Sequence, residues 1–418
     1  MIKSIDRKLV VGIEIGTTKV ITLVGEIEID NKIKIIGIGK CLSKGMDKGR
    51  INNLDTIIQC IKKSIHQAEI MADCQITSVY LSLSNQHIHC QNEIGLVPIS
   101  EDEVTKEDIE NVIHIAKTVQ IFHKHHILHV IPKEYYIDQQ SGIKNPLGLS
   151  GIRMKVKVHL ITCHYNISKD LIKAVEKCNL KVNQLIFSGL ASSKAVLTTD
   201  EKKSGVCMID IGGGTIDFII YINNCIEDSQ VIPYAGNIVT SDIAYAFNTS
   251  YDHAEILKIQ YGAAQQSSSP QSQNIDFINI DGSINKIIKQ DELIEVIESR
   301  YIELLSLVNN RILHIQKKLH RKGLKYQIAA GIVLTGGASK IKRLQKCAEK
   351  IFEKKIRISN PLNLPKLIEP INDPNYSTVA GLLQFGKELN TNIKKHNKEN
   401  SFIKKWFEQI NNWFKKEF

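Results

Sequence analysis

One four-residue phrase occurs twice in this chain, as Ile13-Glu14-Ile15-Gly16 and as Ile209-Asp210-Ile211-Gly212. Each phrase closes a Val/Ile-rich run and opens a turn of small residues, and a second apolar run follows at once. The early runs are "LVVGIEI" (Leu9 to Ile15), "KVITLVGEI" (Lys19 to Ile27) and "KIKIIGIG" (Lys32 to Gly39); the later design is "VCMIDIGGGTIDFIIYI" (Val206 to Ile222). Such runs predict buried strands joined as hairpins. Glycine lets a turn approach an anion closely, and the exposed N–H groups form a nest for it. Gly16, Thr17, Thr18 and Lys19 bring that chemistry to the first turn, and Gly212, Gly213, Gly214 and Thr215 to the second. Glu14 and Asp210 end their strands, where a carboxylate can hold Mg²⁺ through waters. A third run, "GIVLTGGASKIKRL" (Gly331 to Leu344), reads as a strand, a Gly-Gly turn and a helix beginning beside Gly336, Gly337 and Ala338. That turn leaves no side chain over a nucleotide's flat face. A single glycine turn is commonplace, but the three together predict a nucleotide cleft between two lobes.

With 418 residues, 43% hydrophobic and 23% charged, the chain has room for two or more domains with large cores. Lys and Arg exceed Asp and Glu by 54 − 44 = 10, spread along the sequence. That excess permits attraction to an anionic membrane or to nucleic acid and proves neither, and a nucleic-acid role has no support beyond it. Nine cysteines without a CxxC spacing predict reduced thiols in a cytoplasm, not a disulfide framework or zinc site. The N-terminus reads as a first strand rather than a signal peptide. No apolar run approaches the roughly 18 residues of a spanning helix, so the chain is not expected to cross a membrane.

Apolar residues at Leu54, Ile57, Ile58, Ile61, Ile65 and Ala68 predict a helix over Leu54 to Ala72. Ser84 to His164 separates the first hairpin from the return of its lobe. It reads as a strand ("HIHCQNEIGLVPI"), a helix ("TKEDIENVIHIAK", capped by Thr105 with Asp108) and further strands, hence a compact mixed subdomain. His125 and His129 lie four apart, but in a strand that spacing separates them, and no Cys or acid pair is near, so no metal site is expected. Further on, "AAQQSSSPQSQN" is a polar loop. A long helix follows with Leu293, Val296, Ile297, Leu304, Leu305, Val308, Ile312, Ile315 and Leu319 on one side. Arg300, Glu303 and Arg311 lie on the other, by default a solvated face.

The last residues have a different character. Lys387 to Asn400 has almost no apolar residues and no period, and reads as a flexible linker. Beyond it lie Trp406 and Trp413, the two tryptophans of the chain. On a helical wheel Phe402, Ile403, Trp406, Phe407, Ile410, Trp413, Phe414 and Phe418 share an arc about 160° wide, with lysines on both flanks. Aromatic bodies and lysine heads in this arrangement suit a bilayer interface of anionic lipid better than a docking helix. Eight large side chains at roughly 1.5–3 kcal/mol each outweigh the lysines, and helix ordering takes much of the gain. One tail therefore binds reversibly, and a row of tails binds tightly.

The three glycine segments resemble the phosphate-1, phosphate-2 and adenosine motifs of the actin / sugar-kinase / heat-shock-70 ATPase superfamily. "GMDKGRINNL", "VYLSLSNQHIHCQNEIGLVPIS", "IKNPLGLSGIRMKVKVHLITCH", "DIGGGTID", "VIPYAGNIVTSDIAYAF" and "GIVLTGGA" resemble, more closely, its bacterial cell-division FtsA family. The likeness runs from Met1 to about Lys387 and again over the tail. It implies an α/β, actin-like two-lobed ATPase fold with an inserted α+β subdomain and a C-terminal amphipathic helix. The expected division is residues 1–83, 165–205 for the first lobe, 84–164 for the insertion, and 206–230, 231–319 and 320–386 for the second lobe and its return. A linker (387–400) and a membrane helix (401–418) follow. ATP with Mg is the implied cofactor, with Gly16, Thr17, Thr18, Lys19 and Gly212 to Thr215 on phosphates. Glu14 and Asp210 stand on the metal side, Glu255 and Lys258 at ribose and base, and Gly336, Gly337 and Ala338 at the adenosine. The resemblance further implies filaments, the peptide tail of the tubulin-like FtsZ near Arg300 and Glu303, and later division proteins on the insertion. The place of action would be the inner face of the membrane at the division site. Two departures bear on activity: Glu14 stands where most of the superfamily has Asp, and "QLIFSGLASSKAVL" (Gln184 to Leu197), read as the connecting helix, lacks a polar residue at the place where hydrolytic relatives use one to orient water. In-line hydrolysis needs such a water, so tight ATP binding with slow hydrolysis at best is expected, and no enzyme in the ordinary sense. A small-molecule kinase of the same superfamily is the alternative, without a visible catalytic acid. A heat-shock-70-like chaperone lacks its C-terminal peptide-binding domain here.

Overall fold

The structure, a computed structural model, describes residues 7–267, 273–278, 284–321, 328–362 and 371–399. The first Val/Ile runs pair as a hairpin: β1 (Leu9–Ile15) turns through Gly16-Thr17-Thr18 into β2 (Lys19–Ile27), with Ile15 opposite Val20. β3 (Ile33–Leu42) adds antiparallel to β2. A minute hairpin, β4 (Met46–Asp47) and β5 (Arg50–Ile51), leads to α1 (Leu54–Ala72). Asn53 caps α1 by accepting from Thr56 N, and Asp73 ends it in the left-handed region at φ 48°. The apolar stripe of α1 lies directly on β3. A Cβ on Gly39 would fall 1.7 Å from Ser64 O, so glycine sets that close approach. β6 (Ser78–Leu83) then runs parallel beside β1.

The insertion follows: β7 (His89–Pro98), α2 (Lys106–Lys117), β8 (His125–Ile137), β9 (Gln140–Ile143) and β10 (Arg153–His164). Its sheet has the order β7-β10-β8-β9. α2 covers one face over a core that includes Val97, Val112, Met154, Val156 and Leu160. Thr105 and Asp108 form the expected reciprocal cap at the start of α2. The chain returns through α3 (Tyr165–Glu176) to β11 (Lys181–Phe187), which lies parallel to β6 and completes the order β11-β6-β1-β2-β3. The Gln184 to Leu197 stretch is therefore not one helix. It is the end of β11 and then α4 (Ser188–Val196), because "QLIF" has β-prone residues while "SGLASS" is small enough to pack between the two sheets. α5 (Thr199–Ser204) leads into the second lobe.

That lobe repeats the plan of the first. β12 (Val206–Ile211), β13 (Ile216–Ile222) and β14 (Cys225–Ile232) form the antiparallel run. α6 (Gly236–Phe247), α7 (Tyr251–Tyr261), the hairpin β15 (Asn274–Ile278) and β16 (Ile284–Lys289), and α8 (Gln290–Arg321) make its outer part. β17 (Ile332–Thr335) and β18 (Ile356–Ile358) add parallel strands, giving β14-β13-β12-β17-β18. Counted from each hairpin outward, the two five-stranded sheets have the same connectivity. After Gly336 the backbone makes a 3-10 turn, Gly337–Lys340, and α9 (Leu344–Phe352) starts only at Leu344, not beside the glycines as read. Gly336 at φ 88° and a further left-handed residue, Arg343 at φ 62°, interrupt any earlier helix.

The last helix, α10 (Ser377–Glu399), packs on the far face of the first sheet through Val379, Leu382 and Leu383. It continues through Lys387–Glu399, the stretch read as a flexible linker. "KELNTNIKKHNKE" has neither Gly nor Pro, and extending an anchored helix avoids the nucleation cost that polarity alone does not raise. The tail residues Phe402, Ile403, Trp406, Phe407, Ile410, Trp413, Phe414 and Phe418 lie outside the described residues. Among the described residues no helix is long and apolar enough to cross a membrane. All nine cysteines are free thiols, with Cys60, Cys163, Cys207 and Cys347 buried.

Candidate functional site

The two hairpin turns face each other across the lobes. A Cβ on Gly213 would lie 2.3 Å from Thr18 Cγ2, and one on Gly214 2.4 Å from Thr17 Oγ1. Around them opens a cleft of about 400 Å³. Glu14, Gly16, Thr17, Thr18 and Lys19 line it from the first lobe. Asp210, Gly212, Gly213, Gly214, Thr215, Glu255, Lys258, Gly336, Gly337 and Ala338 line it from the second.

Acids gather at the turns. Glu14 is half-buried, with its Oε2 enclosed and unpartnered. Burial raises its pKa to about 7; Lys19 opposes the shift and Asp210 adds to it. Burial also raises Asp210, whose Oδ2 accepts from the Ser192 hydroxyl and from Thr378 Oγ1 at 3.2 Å. Asp217 is pushed well above the usual carboxylate range, by burial first and then by Asp210. The hairpin explains this pair: Asp210 and Asp217 are direct cross-strand partners on β12 and β13, so both side chains stand on one face. Ser84 donates to Asp217 and, at 3.1 Å, to Thr215 Oγ1. Lys19 donates to the Asn375 backbone carbonyl and, at 3.1 Å, to Asn375 Oδ1; burial lowers its pKa and Glu14 resists.

This donor set fits a hydrated dication. Three carboxyl groups crowd together, Lys19 offsets two of them, Glu14 and Asp210, and one enclosed oxygen of Glu14 lacks any partner. Among the described residues no three acid, histidine or cysteine side chains stand close enough to share one ion. The acids therefore suit Mg²⁺ that keeps its waters, not a bare ion in a protein cage.

At the other end Lys258 is buried on α7. It donates to Gly236 O at 3.1 Å and Thr240 Oγ1 at 2.7 Å, and pairs with Glu255 at 2.6 Å. Burial lowers its pKa, with Glu255 opposing. Tyr301 of α8, fully buried, donates to Ala338 O at 2.9 Å and so fixes the third glycine turn. A Cβ on Gly336 would fall 2.2 Å from Asp210 Oδ1, which ties that turn to the acids.

Sequence reading missed Asp217, Ser84, Ser192, Thr378, Asn375 and Tyr301. Asp217 alone had a local signal, since a four-residue turn closed by Ile211 and Ile216 places it opposite Asp210. The others arrive from distant segments. Arg300 and Glu303 lie away from the cleft, on α8. Arg300 is not a free solvated cation: it holds Asp242 of α6, with Nη2 at 3.0 Å, and Glu303. His125 and His129 do not meet. His129 accepts from Phe187 N at 3.0 Å, and burial lowers its pKa to about 4. His125 bonds the carbonyls of His123 and His87.

Known proteins share both fold and sequence with this chain. The family model described as "Cell division protein FtsA" matches residues 207–381, and that of the "SHS2 domain inserted in FTSA" matches residues 85–162. The PilM of a PilM–PilN type IV pilus biogenesis complex superposes with a TM-score of 0.64 at 15% identity, covering 90% of this chain and 98% of that one. MreB5 of Spiroplasma citri bound to ADP gives 0.54 at 16% identity, covering 92% and 98%. These likenesses show the fold, which is actin-like with an inserted α+β subdomain. The cell division protein FtsA of Buchnera aphidicola from Acyrthosiphon pisum is 68% identical, and that of Escherichia coli K12 53% identical, each over the full length of both chains. The chain belongs to the FtsA family of cell-division proteins.

Proposed function

We propose that the cleft binds ATP with Mg²⁺ and that the protein works in division as an actin-like filament tying the FtsZ ring to the inner face of the membrane. The observation that carries the nucleotide part is the convergence of Glu14, Asp210, Asp217 and Lys19 where two glycine turns meet. Backbone N–H groups of Gly16 and of Gly212 to Thr215 would take the phosphates. Glu14 and Asp210 would hold the waters of Mg²⁺, and the ion would neutralise phosphate charge. Ser192 and Thr378 orient Asp210, Ser84 orients Asp217, and Asn375 steers the Lys19 ammonium. Lys258 and Glu255 border the sugar and base end, beside a Gly336 turn without a blocking side chain.

Turnover is slow in this reading. α4, "SGLASSKAV", has no carboxylate or carboxamide to orient a water, and its Ser192 is committed to Asp210. ATP then serves assembly rather than a metabolic reaction. The MamK double helical filament among the structural neighbours (TM-score 0.52) is in keeping with self-association. The FtsZ peptide would lie on the outer second lobe near Arg300 and Glu303, later division proteins on the insertion, and the aromatic tail in an anionic bilayer. One tail binds weakly, so filament formation multiplies attachment.

Co-sedimentation with phosphatidylglycerol-containing liposomes tests this, with the full chain against a chain ending at Asn400. The full chain should pellet, more strongly with Mg-ATP, and its tryptophan emission should shift to the blue, because Trp406 and Trp413 are its two tryptophans. Equal pelleting of both chains, or no response to Mg-ATP, would sink the coupling of nucleotide to membrane.

A further inference from the structure

The insertion is attached by more than its chain ends. It grips the second lobe along β14, through a polar seam that is buried at His159 and Ser229 and reaches solvent at Asn92 and Lys144. His159 of β10, 1% exposed, stands 2.8 Å from Asn92 Oδ1 and 2.8 Å from Ser229 Oγ of β14. Asn92 Nδ2 donates to Glu227 O at 2.8 Å, which fixes the amide so that Oδ1 must accept from His159. Ser229 Oγ also lies 2.8 Å from Cys90 Sγ. Lys133 of β8 pairs with Glu227 at 2.5 Å, with side chains 9% and 15% exposed. Lys144 Nζ reaches Cys225 Sγ at 3.0 Å.

Burial makes such a seam decisive. Sliding in register would leave His159 unpaired while still enclosed and would pull Glu227 from Lys133, which favours a junction that holds or parts as a unit over gradual sliding. Burial holds His159 neutral, its pKa lowered to about 3, so the ring keeps one donor and one acceptor across the physiological range. The seam leads to the cleft: β14 is hydrogen-bonded to β13, whose start closes the Gly212–Thr215 turn. Ser84, where the chain enters the insertion, bonds Thr215 and Asp217 at that same turn. On the first-lobe side His129 of the insertion is bonded to Phe187 N.

We propose that the inserted subdomain is a clasp between the lobes, so that a ligand moving the insertion and a nucleotide in the cleft bias one shared equilibrium. The nucleotide half rests on the function proposed above. Such coupling is reciprocal: whatever factor one ligand imposes on the other is returned.

The seam supplies its own test. Ser229→Cys faces Cys90, and diamide takes up the two electrons and two protons released as the thiols join. Peptide mass spectrometry should find the 90–229 bond. The closed clasp should then change AMPPNP affinity by about fivefold or more relative to the same variant reduced. AMPPNP should change the rate of bond formation in the matching direction. Failure of the bond to form in the folded variant overturns the clasp, as does an affinity that is the same oxidised and reduced. Should AMPPNP not bind the unaltered protein, the nucleotide reading fails separately. The clasp is then judged by hydrogen exchange of Ser229→Ala: joint loss of protection in β7, β10 and β14 supports it, and loss confined to β14 refutes it.

Discussion

Glu14 is half-buried with one enclosed oxygen unbonded, and loss of solvent pushes its pKa up from the ordinary 4.5 to about 7. The folded state therefore holds this proton more tightly than the unfolded chain. Between pH 4.5 and 7 folding stability falls as pH rises, and above 7 the deficit is complete. Glu14→Gln removes it. Urea titrations should show the variant more stable than the parent by about 1–3 kcal/mol at pH 8 and equal to it below pH 4.5. The same variant should bind Mg-ATP more weakly. A stability difference independent of pH would show that the acid is not the source. The cleft residues legible in sequence were those within the turns, where glycines, hydroxyls and acids stand side by side. Ser192, Thr378 and Asn375 reach Asp210 and Lys19 across long sequence separations, and no local pattern marks such partners.

Secondary structure was legible wherever a face is buried. α1 has the bounds its apolar spacing predicts, and α8 covers the stripe from Leu293 to Leu319. Polarity misled at α10, since a helix already docked needs no apolar face to extend. Composition misled at Gln184 to Leu197, where burial on both sides hides the change from strand to helix. Where α1 crosses β3, contact is backbone to backbone at Gly39. Gly39→Ala should cost about 1–3 kcal/mol in chemical denaturation, by forcing α1 off the sheet. A neutral substitution would mean that the two elements are less tightly joined than their geometry shows.

Among the described residues the two sheets of matching order are joined at the cleft, through α4, through the start of α10, where Thr335 meets Ser377 at 2.6 Å, and through the clasp, so a ligand held by both lobes stabilises the whole. Mg-AMPPNP at a hundredfold its dissociation constant should add about 2.7 kcal/mol, and melting of both lobes should rise together. A shift in one lobe alone would argue for a site within that lobe. The duplicated plan was visible in the repeated hairpin phrase; the fastening of the insertion to β14 was not, because its polar partners are scattered over β7, β8 and β10. The buried free thiols give this architecture a kinetic consequence. Cys60 lies in α1, Cys163 at the end of β10, and Cys207 and Cys347 in β12 and α9 of the second lobe. Each reacts with a thiol reagent only when its surroundings open, so their separate labelling rates time the breathing of each lobe. The molecule thus carries chemical clocks in both halves, and a filament contact that stills one half would slow its clock while the other keeps its pace.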